Sequence, residues 1–482
     1  MSKETFNQSN IKSVEVKSQK LLESKLKRAG EITLEIQAAG GSALIVGGFA
    51  RDEIMRRLGM TGGDSKDIDV EVYGLGLDKL IPILNNFGKP DLVGESFGVI
   101  KIGDLDISIP RRDSKTGSGH KDFKIEGDPT MTPKEASQRR DLTINALALD
   151  PLSGNIIDEW GGIEDLQKKI LRATDLERFG DDPLRVLRLM QFAGRFGFTI
   201  DEITEQLART LPLDSLSKER ITEEWKKLLL KSQTPSLGLE AGRRMEVIKK
   251  LHPELYALIG VPQEPKYHPE GDVWEHTLQC IDAANIIALR EQINDEEKLV
   301  LMLAVLCHDL GKATTTEFVP NKKDEKAWRS YGHEEAGVEP TKNFLRGMHF
   351  TDVIKNKVYN LVAHHLFPAL VRDATDSAIR RLSRRLAPAN ITELVRVGEA
   401  DHRGRAIVWD GYPAGKELLR RAAELKVELK QPERILMGRH LIELGLKPGV
   451  QFKKILDTVY SAQLEGQIKN LAEAKDLAQK KY

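Results

Sequence analysis

The 482-residue sequence predicts an α+β protein: a small mixed-sheet head followed by a long all-α body. Three observations predict it. Short apolar runs bounded by glycines, several alternating with period two, crowd into residues 42–109. After Leu152-Ser-Gly154 strand signals nearly vanish, and helical spacing continues almost to the end, with breaks near Pro212, Pro262 to Pro269, Pro320, Pro388 and Pro413. The composition, 40% hydrophobic and 30% charged, is that of a globular chain and excludes wholesale disorder.

Residues 10–40 read as a Lys/Glu-rich amphipathic helix with Leu21, Leu22, Leu26 and Ile32 on its apolar side. Ser42 to Val46 is an apolar run stopped by Gly47-Gly48, a buried strand and its turn. Phe49 to Leu58 has helical spacing, and Asp67 to Tyr73 alternates as a strand does. Gly98 to Ile102 and Leu105 to Ile109 form a hairpin around Gly103-Asp104. Arg111 to Ser137 is polar, Gly- and Lys-rich and without period, and reads as a long loop. The expected division is a head over 1–150, a helical neck over 151–265, a helical metal-binding domain over 266–402 and a basic helical tail over 403–482.

The longest nearly pure apolar run, Leu299 to Cys307, is far shorter than the roughly 18–20 residues of a membrane span. MSKETFNQSN has no apolar core of a secretory signal, and Cys280 and Cys307 form no CxxC, so a cytoplasmic protein without a membrane partner is expected. Net charge is zero, yet residues 403–482 carry sixteen Lys/Arg against ten Asp/Glu. Such a tail suits either a solvated helix face or a phosphate backbone. No protein partner is evident.

Asp67 and Asp69, two apart on a strand, project from one face. Like charges brought together call for a cation, and Mg²⁺ prefers carboxylate oxygens. Asp106, in the alternating run Leu105 to Ile109, makes a third carboxylate if its strand pairs beside the first. Three carboxylates suffice for two Mg²⁺ ions about 3.5–4 Å apart, one on an attacking hydroxyl and one on a triphosphate. A lone D-x-D equally fits a solvent-facing strand rim. The context narrows this: Gly47-Gly48 lies between a strand and a helix, where glycines let backbone N–H groups approach phosphates, and Arg51 follows one turn on.

Gly47-Gly-Phe-Ala-Arg-Asp52, Asp67-Ile-Asp69, Arg139-Arg-Asp-Leu-Thr-Ile-Asn-Ala-Leu147, Asp181-Asp-Pro-Leu-Arg-Val-Leu-Arg188 and Glu219-Arg-Ile221 with Glu224 together resemble the motifs of the bacterial-type (class II) tRNA nucleotidyltransferases, the CCA-adding enzymes. That family has a polymerase-beta-type head. The resemblance covers nearly the whole chain. It implies addition of C, C and A to tRNA 3′ ends from CTP and ATP, with catalytic Asp67, Asp69 and Asp106 and with Mg²⁺ on Asp67 and Asp69. It places Gly47, Gly48, Arg51, Arg140, Asp141, Asp182, Arg185 and Arg188 on the nucleotide. Asp141 would accept from the ribose 2′-OH. Asp182 and Arg185, three apart on a helix, accept and donate as cytosine and adenine require and as uracil and guanine do not. Arg188 is placed for a phosphate. Where the family usually has a further arginine this chain has Gln191, and Asp181-Asp182 replaces the common Glu-Asp. The long segment from Arg111 matches an element tied to the switch from C to A addition.

Eight of the 11 histidines fall between His268 and His402. The set His276, His308-Asp309, His333, His364-His365 and Asp401 suits a transition or other divalent metal better than Ca²⁺. An adjacent His-Asp pair reaches one ion only at a helix end or irregularity, for which Gly311 supplies the break. The set resembles the HD-domain metal-dependent phosphohydrolases. His276, His308, Asp309 and Asp401 match the four core ligands, with His333, His364 and His365 available for a second metal; the ion itself (Ni, Mn, Fe or Mg) is left open. The resemblance implies a second activity, a phosphatase or 2′,3′-cyclic phosphodiesterase. Two rivals stand beside this reading: a poly(A) polymerase or CC-/A-adding relative, and a nucleotide-sensing HD phosphohydrolase whose head merely binds NTP.

Overall fold

The computed structural model describes residues 22–61, 63, 65, 67–93, 99–115, 123–320, 326–409 and 411–481. They divide into two compact units, Met1–Ser217 with Arg244–Val247, and Lys218–Arg243 with Ile248–Tyr482. The stretch 151–265 contributes to both.

The first unit is built on a sheet. Its strands are β1 (Ser42–Val46), β2 (Ile68–Tyr73), β3 (Asp91–Val93), β4 (Val99–Ile102), β5 (Leu105–Ser108), β8 (Ala148–Leu149) and β9 (Ile156–Ile157), in the order β3-β4-β5-β2-β1-β8-β9. The β2–β5 pair is parallel and every other pair antiparallel, so the sheet is mixed. The period-two pattern sorts the side chains onto two faces. Ile45, Ile68, Val70, Val72, Leu105 and Ile107 join one apolar core with Ile32 and Ile36 of the helix 22–38 and with Leu80 and Leu84 of the helix Leu77–Asn85. Leu22 and Leu26 pack against that core, as their spacing predicts; Leu21 lies outside the described residues. Asp69, Glu71 and Asp106 alternate with these apolar residues and therefore point to the other face. Truncating a fully buried residue such as Ile107 to Ala would cost roughly 2–5 kcal/mol and loosen the floor under the carboxylates.

Arg111 to Ser137 is not a structureless loop. It contains the two-stranded ribbon of β6 (Arg111–Lys115) and β7 (Phe123–Gly127), and the short helix Pro133–Ser137, opened by a Thr132/Glu135 capping box. β6, Arg-Arg-Asp-Ser-Lys, has no apolar residue, and β7, Phe-Lys-Ile-Glu-Gly, has only two, so alternation marks the second strand briefly and the first not at all.

Among its described residues the second unit is helical with one exception. The helix Asp295–Cys307 is buried on every side from Lys298 onward and forms the unit's axis. The helices Val273–Glu291 and Ile391–Gly404 lie against each other, so close that a Cβ at Gly404 would collide with the Cys280 Sγ. The exception is an antiparallel hairpin, Thr316–Pro320 with Lys326–Ser330, where the helical reading expected a break at Pro320. The tail forms its own cluster around Leu436, Leu441, Ile455 and Val459. Among the described residues no helix is long and apolar enough to cross a membrane.

Candidate active sites

In the head, Asp69 on β2 and Asp106 on β5 are Cα partners in the parallel ladder. Asp67 sits one residue before β2 begins, exposed at the strand's entry. Burial pushes the Asp69 carboxyl above its ordinary range; the Arg140 guanidinium pulls it down, while Asp106, Asp67 and Glu71 push it further up. A cation would relieve the repulsion on this partly desolvated carboxylate, and oxygen donors of this kind fit a hard divalent ion. Lys101 Nζ lies 3.7 Å from the Asp106 carboxylate.

The turn beside these carboxylates requires glycine. Gly47 has φ +73°, and a Cβ there would lie 3.4 Å from Asp69 Oδ2 and 3.5 Å from Arg140 Nη1; a Cβ at Gly48 would press on Ser65 Oγ at 3.2 Å. The helix Gly47–Arg57 starts directly from this turn, so its N-terminal N–H groups face the same space. Arg51 is turned inward. It is 3% exposed, donates to Asp52 and Asn145 at 2.7 Å each, and lies over the rings of Phe196 and Phe192 at 4.9 and 5.4 Å. Its guanidinium is engaged within the head instead of offered as a free phosphate fork.

The helix Leu184–Phe196 begins after Asp182 and Pro183, so Asp182 lies just outside the helix on which it was expected together with Arg185. Arg185 donates to the backbone carbonyls of Arg178 (2.6 Å) and Arg139 (2.7 Å), which fixes its plane. Asp182 accepts from Leu184 N at 3.1 Å. Buried Asp141 accepts from Arg188 Nε at 2.5 Å and from Asn145 Nδ2 and Leu142 N at 2.9 Å. Burial alone would raise its pKa; the Arg188 charge and the Asn145 amide hold it below the usual carboxylate range. Gln191 is buried, its amide nitrogen without a hydrogen-bond partner.

In the second unit the histidines converge. His276 Nε2 lies 3.2 Å from Asp401 Oδ1 and 3.3 Å from Cys280 Sγ, and the donor atoms of His276, Cys280, His308 and Asp401 all fall within 4.8 Å of one another. Asp309, His333 and His365 form a second such group. Asp309 stands between the two: Oδ2 faces His308 Nε2 at 3.2 Å and His276 Nε2 at 3.8 Å, while Oδ1 faces His333 at 3.3 Å and His365 at 4.0 Å. His364 belongs to neither group. Consecutive residues at a helix end point about 100° apart, so only His365 of the pair can turn inward.

Three of these imidazoles are oriented alike. The Nδ1 atoms of His308, His333 and His365 donate to the carbonyls of Val305, Ser330 and Val362 at 2.7, 2.7 and 2.8 Å. Each Nε2 lone pair is thereby aimed inward, since a carbonyl on Nδ1 fixes the tautomer and the ring plane as it does for metal-bound histidines. His333 Nε2 and His365 Nε2 approach to 3.2 Å, and buried His308 Nε2 makes no hydrogen bond. Opposed lone pairs and an orphaned buried nitrogen fit divalent metal. The helix end at Cys307 presents the His-Asp pair; Gly311, with φ −67°, does not break the helix but makes room, since a Cβ there would strike the His333 carbonyl.

Some participants carried no sequence signal. Glu270 accepts from both His268 Nδ1 and His276 Nδ1 at 2.8 Å, and these contacts hold its carboxyl well below the usual range against the effect of burial. It lies in a Pro/Gly-rich turn that reads only as a linker. Lys312 holds Asp309 at 2.7 Å, and Arg405 holds Asp401 at 3.1 Å.

Fold and sites together define a nucleotidyltransferase head joined to an HD domain. Residues 43–172 match the poly A polymerase head domain and residues 273–403 the HD domain. The multifunctional CCA protein of Pasteurella multocida is 34% identical over 375 residues, 75% of this chain and 83% of that protein. That of Acinetobacter baumannii strain SDF is 33% identical over 85% of this chain and 97% of its own length. The chain belongs to the family of the multifunctional CCA proteins. The fold is also that of the Bacillus stearothermophilus CCA-adding enzyme in complex with CTP (TM-score 0.62, 22% identity, 94% of this chain and 97% of that one). The Thermotoga maritima CCA-adding enzyme complexed with tRNA shares it too (TM-score 0.57, 20% identity, 96% and 98%).

Proposed function

We propose that this protein adds C, C and A to the 3′ end of tRNA from CTP and ATP without a nucleic-acid template, and that its HD domain hydrolyses phosphate esters. The observation that carries the first reading is the pairing of Asp69 with Asp106 on the face opposite the core, beside the glycine turn at 47–48. Asp67, Asp69 and Asp106 would hold Mg²⁺, which when bound neutralises triphosphate charge and favours the ionised attacking hydroxyl. The Gly47-Gly48 turn and the helix it opens receive the phosphates, with Arg140 at its edge. Asp182 and Arg185 read the base, and the two carbonyls holding Arg185 support that role by fixing its donors. Asp141, with three protein hydrogen bonds on a group that has about four acceptor positions, keeps capacity for one ribose hydroxyl. Arg188, gripped by Asp141, lies alongside as a phosphate contact. Arg51 acts from within, locking the turn to the base-reading helix.

In the HD domain, His276, His308, Asp309 and Asp401 would hold one divalent ion and His333 and His365, with Asp309, a second. Metal held there would contribute Lewis acidity and lower the pKa of a bound water. Imidazoles with Cys280 alongside favour a transition ion such as Mn, Fe or Ni over Mg²⁺. Lys312 and Arg405 set positive charge beside the carboxylates. The working parts are the head over 1–150, the neck over 151–265, the HD domain over 266–402 and the basic tail, which grips tRNA phosphates in the cytoplasm. The test is incubation with tRNA ending at the discriminator base, CTP and ATP, followed by sequencing. Full CCA ends support the reading; CC alone, A alone or poly(A) ends select a rival.

A further inference from the structure

Two cavities, not one, meet at the histidine cluster. The first, about 340 Å³, is walled by Trp328 and Arg329 of the hairpin together with Tyr267 and Lys312. The second, about 560 Å³, is walled by Arg372, His402, Tyr412, Ala369 and Ala414. His365, Leu366, Asp401 and Arg405 line both. Each chamber lies within the roughly 300–1,000 Å³ range of small-molecule sites. Each also pairs aromatic surface with cationic side chains, the combination that stacks a base and faces a phosphate. At their junction Arg405 binds Asp401 through Nη2, at 3.1 and 3.2 Å from the two carboxylate oxygens, while its buried Nε makes no hydrogen bond.

A phosphomonoester, or a cyclic phosphate on one nucleoside, has a large group on one side of phosphorus only and would fill one chamber. We infer that the HD centre takes a linear phosphodiester with a nucleoside on each side, one per chamber, its phosphate at the junction beside Arg405. This rests on the phosphohydrolase reading of the centre and extends its substrate class. In the reaction, water bonds to phosphorus, one P–O ester bond breaks, and the leaving oxygen takes a proton, giving a nucleotide and a nucleoside. No co-reactant other than water is needed.

The test uses the full-length protein supplied with Mn²⁺. The binding probe is an adenylyl-adenosine analogue with an uncleavable methylene in place of one bridging oxygen, measured calorimetrically against AMP. Ala369→Trp fills the second chamber, Ala414→Trp fills it from another wall, and Trp328→Ala strips the first. Each should weaken the analogue by about tenfold or more, a stacked base being worth about that much. Ala369→Trp should leave hydrolysis of adenosine 2′,3′-cyclic phosphate within about twofold of wild type, because a single nucleoside has no use for the second chamber. Wild-type binding of the analogue no tighter than of AMP would overturn the inference. So would undiminished binding by both chamber-filling variants while an unchanged melting curve of the helical unit shows them folded. Failure of wild type to hydrolyse both the cyclic nucleotide and adenylyl-adenosine would sink the phosphohydrolase reading by itself, and chamber-dependent binding would still support the two-sided ligand.

Discussion

Asp69 and Asp106 face each other as Cα partners across a parallel strand pair, although 37 positions separate them in the chain. A parallel ladder keeps both side chains on one face, so the two carboxylates are set by the sheet itself and not by a loop.

Asp69→Ala and Asp106→Ala should each lower addition of C and of A together by about a thousandfold or more, since both steps share one site. Primer extension with each nucleotide checks this. Hydrolysis at the HD centre should persist in the same preparations. Loss of one nucleotide only would break the shared-site assignment.

Asp182→Ala should relax base choice. UTP and GTP incorporation should rise relative to CTP and ATP by about tenfold or more, because unpaired polar groups are what reject the wrong base. A uniform loss of affinity for all four nucleotides would instead place Asp182 on the triphosphate. The readout is kcat/KM for each NTP.

Asp309→Ala removes the carboxylate that faces both ligand groups. Bound metal and ester hydrolysis should both disappear while CCA addition continues; elemental analysis and a phosphodiesterase assay measure the two losses. Glu270→Gln, which leaves every proposed ligand in place, should weaken metal affinity by about 10–100-fold by freeing the His276 ring.

His252 gives a pH prediction. Burial lowers its pKa to about 3, and its Nε2 accepts from Trp225 Nε1 at 2.9 Å. In the unfolded chain it protonates near 6.5. Below that pH the unfolded state therefore binds a proton that the native state refuses. Stability is full above about pH 6.5 and falls by up to roughly 1.4 kcal/mol per pH unit towards pH 3. His252→Gln should flatten this part of the melting-temperature profile of the helical unit.

What could be read in advance followed how strongly physics marks the sequence. Ala43 to Val46 is uniformly apolar and is followed by two glycines, and the hairpin 99–108 alternates around a Gly-Asp turn; both stand where they were expected. The ribbon strands 111–115 and 123–127 and the hairpin strands 316–320 and 326–330 left little trace, because each run is short and carries few apolar residues. Among the described residues of the hairpin only Ala327 is buried. The histidine cluster was legible because imidazole and carboxylate are rare in such density. Glu270 and Arg405 were not, since their roles arise from contacts with residues 6 positions away in one case and from a cavity junction in the other. Arg51 was found for its position, but its inward rotamer follows from Asn145, Phe192 and Phe196, which approach it only in the folded head.

That buried guanidinium has a mechanical consequence. It ties three separate stretches, the glycine turn's helix, the segment around Asn145 and the aromatic end of the helix 184–196, into one rigid clamp. If the nucleotide sits as proposed, base at Asp182 and Arg185 and phosphates at the glycine turn, a base that fails to seat would act on the phosphates through this clamp, with Arg51 as its pivot.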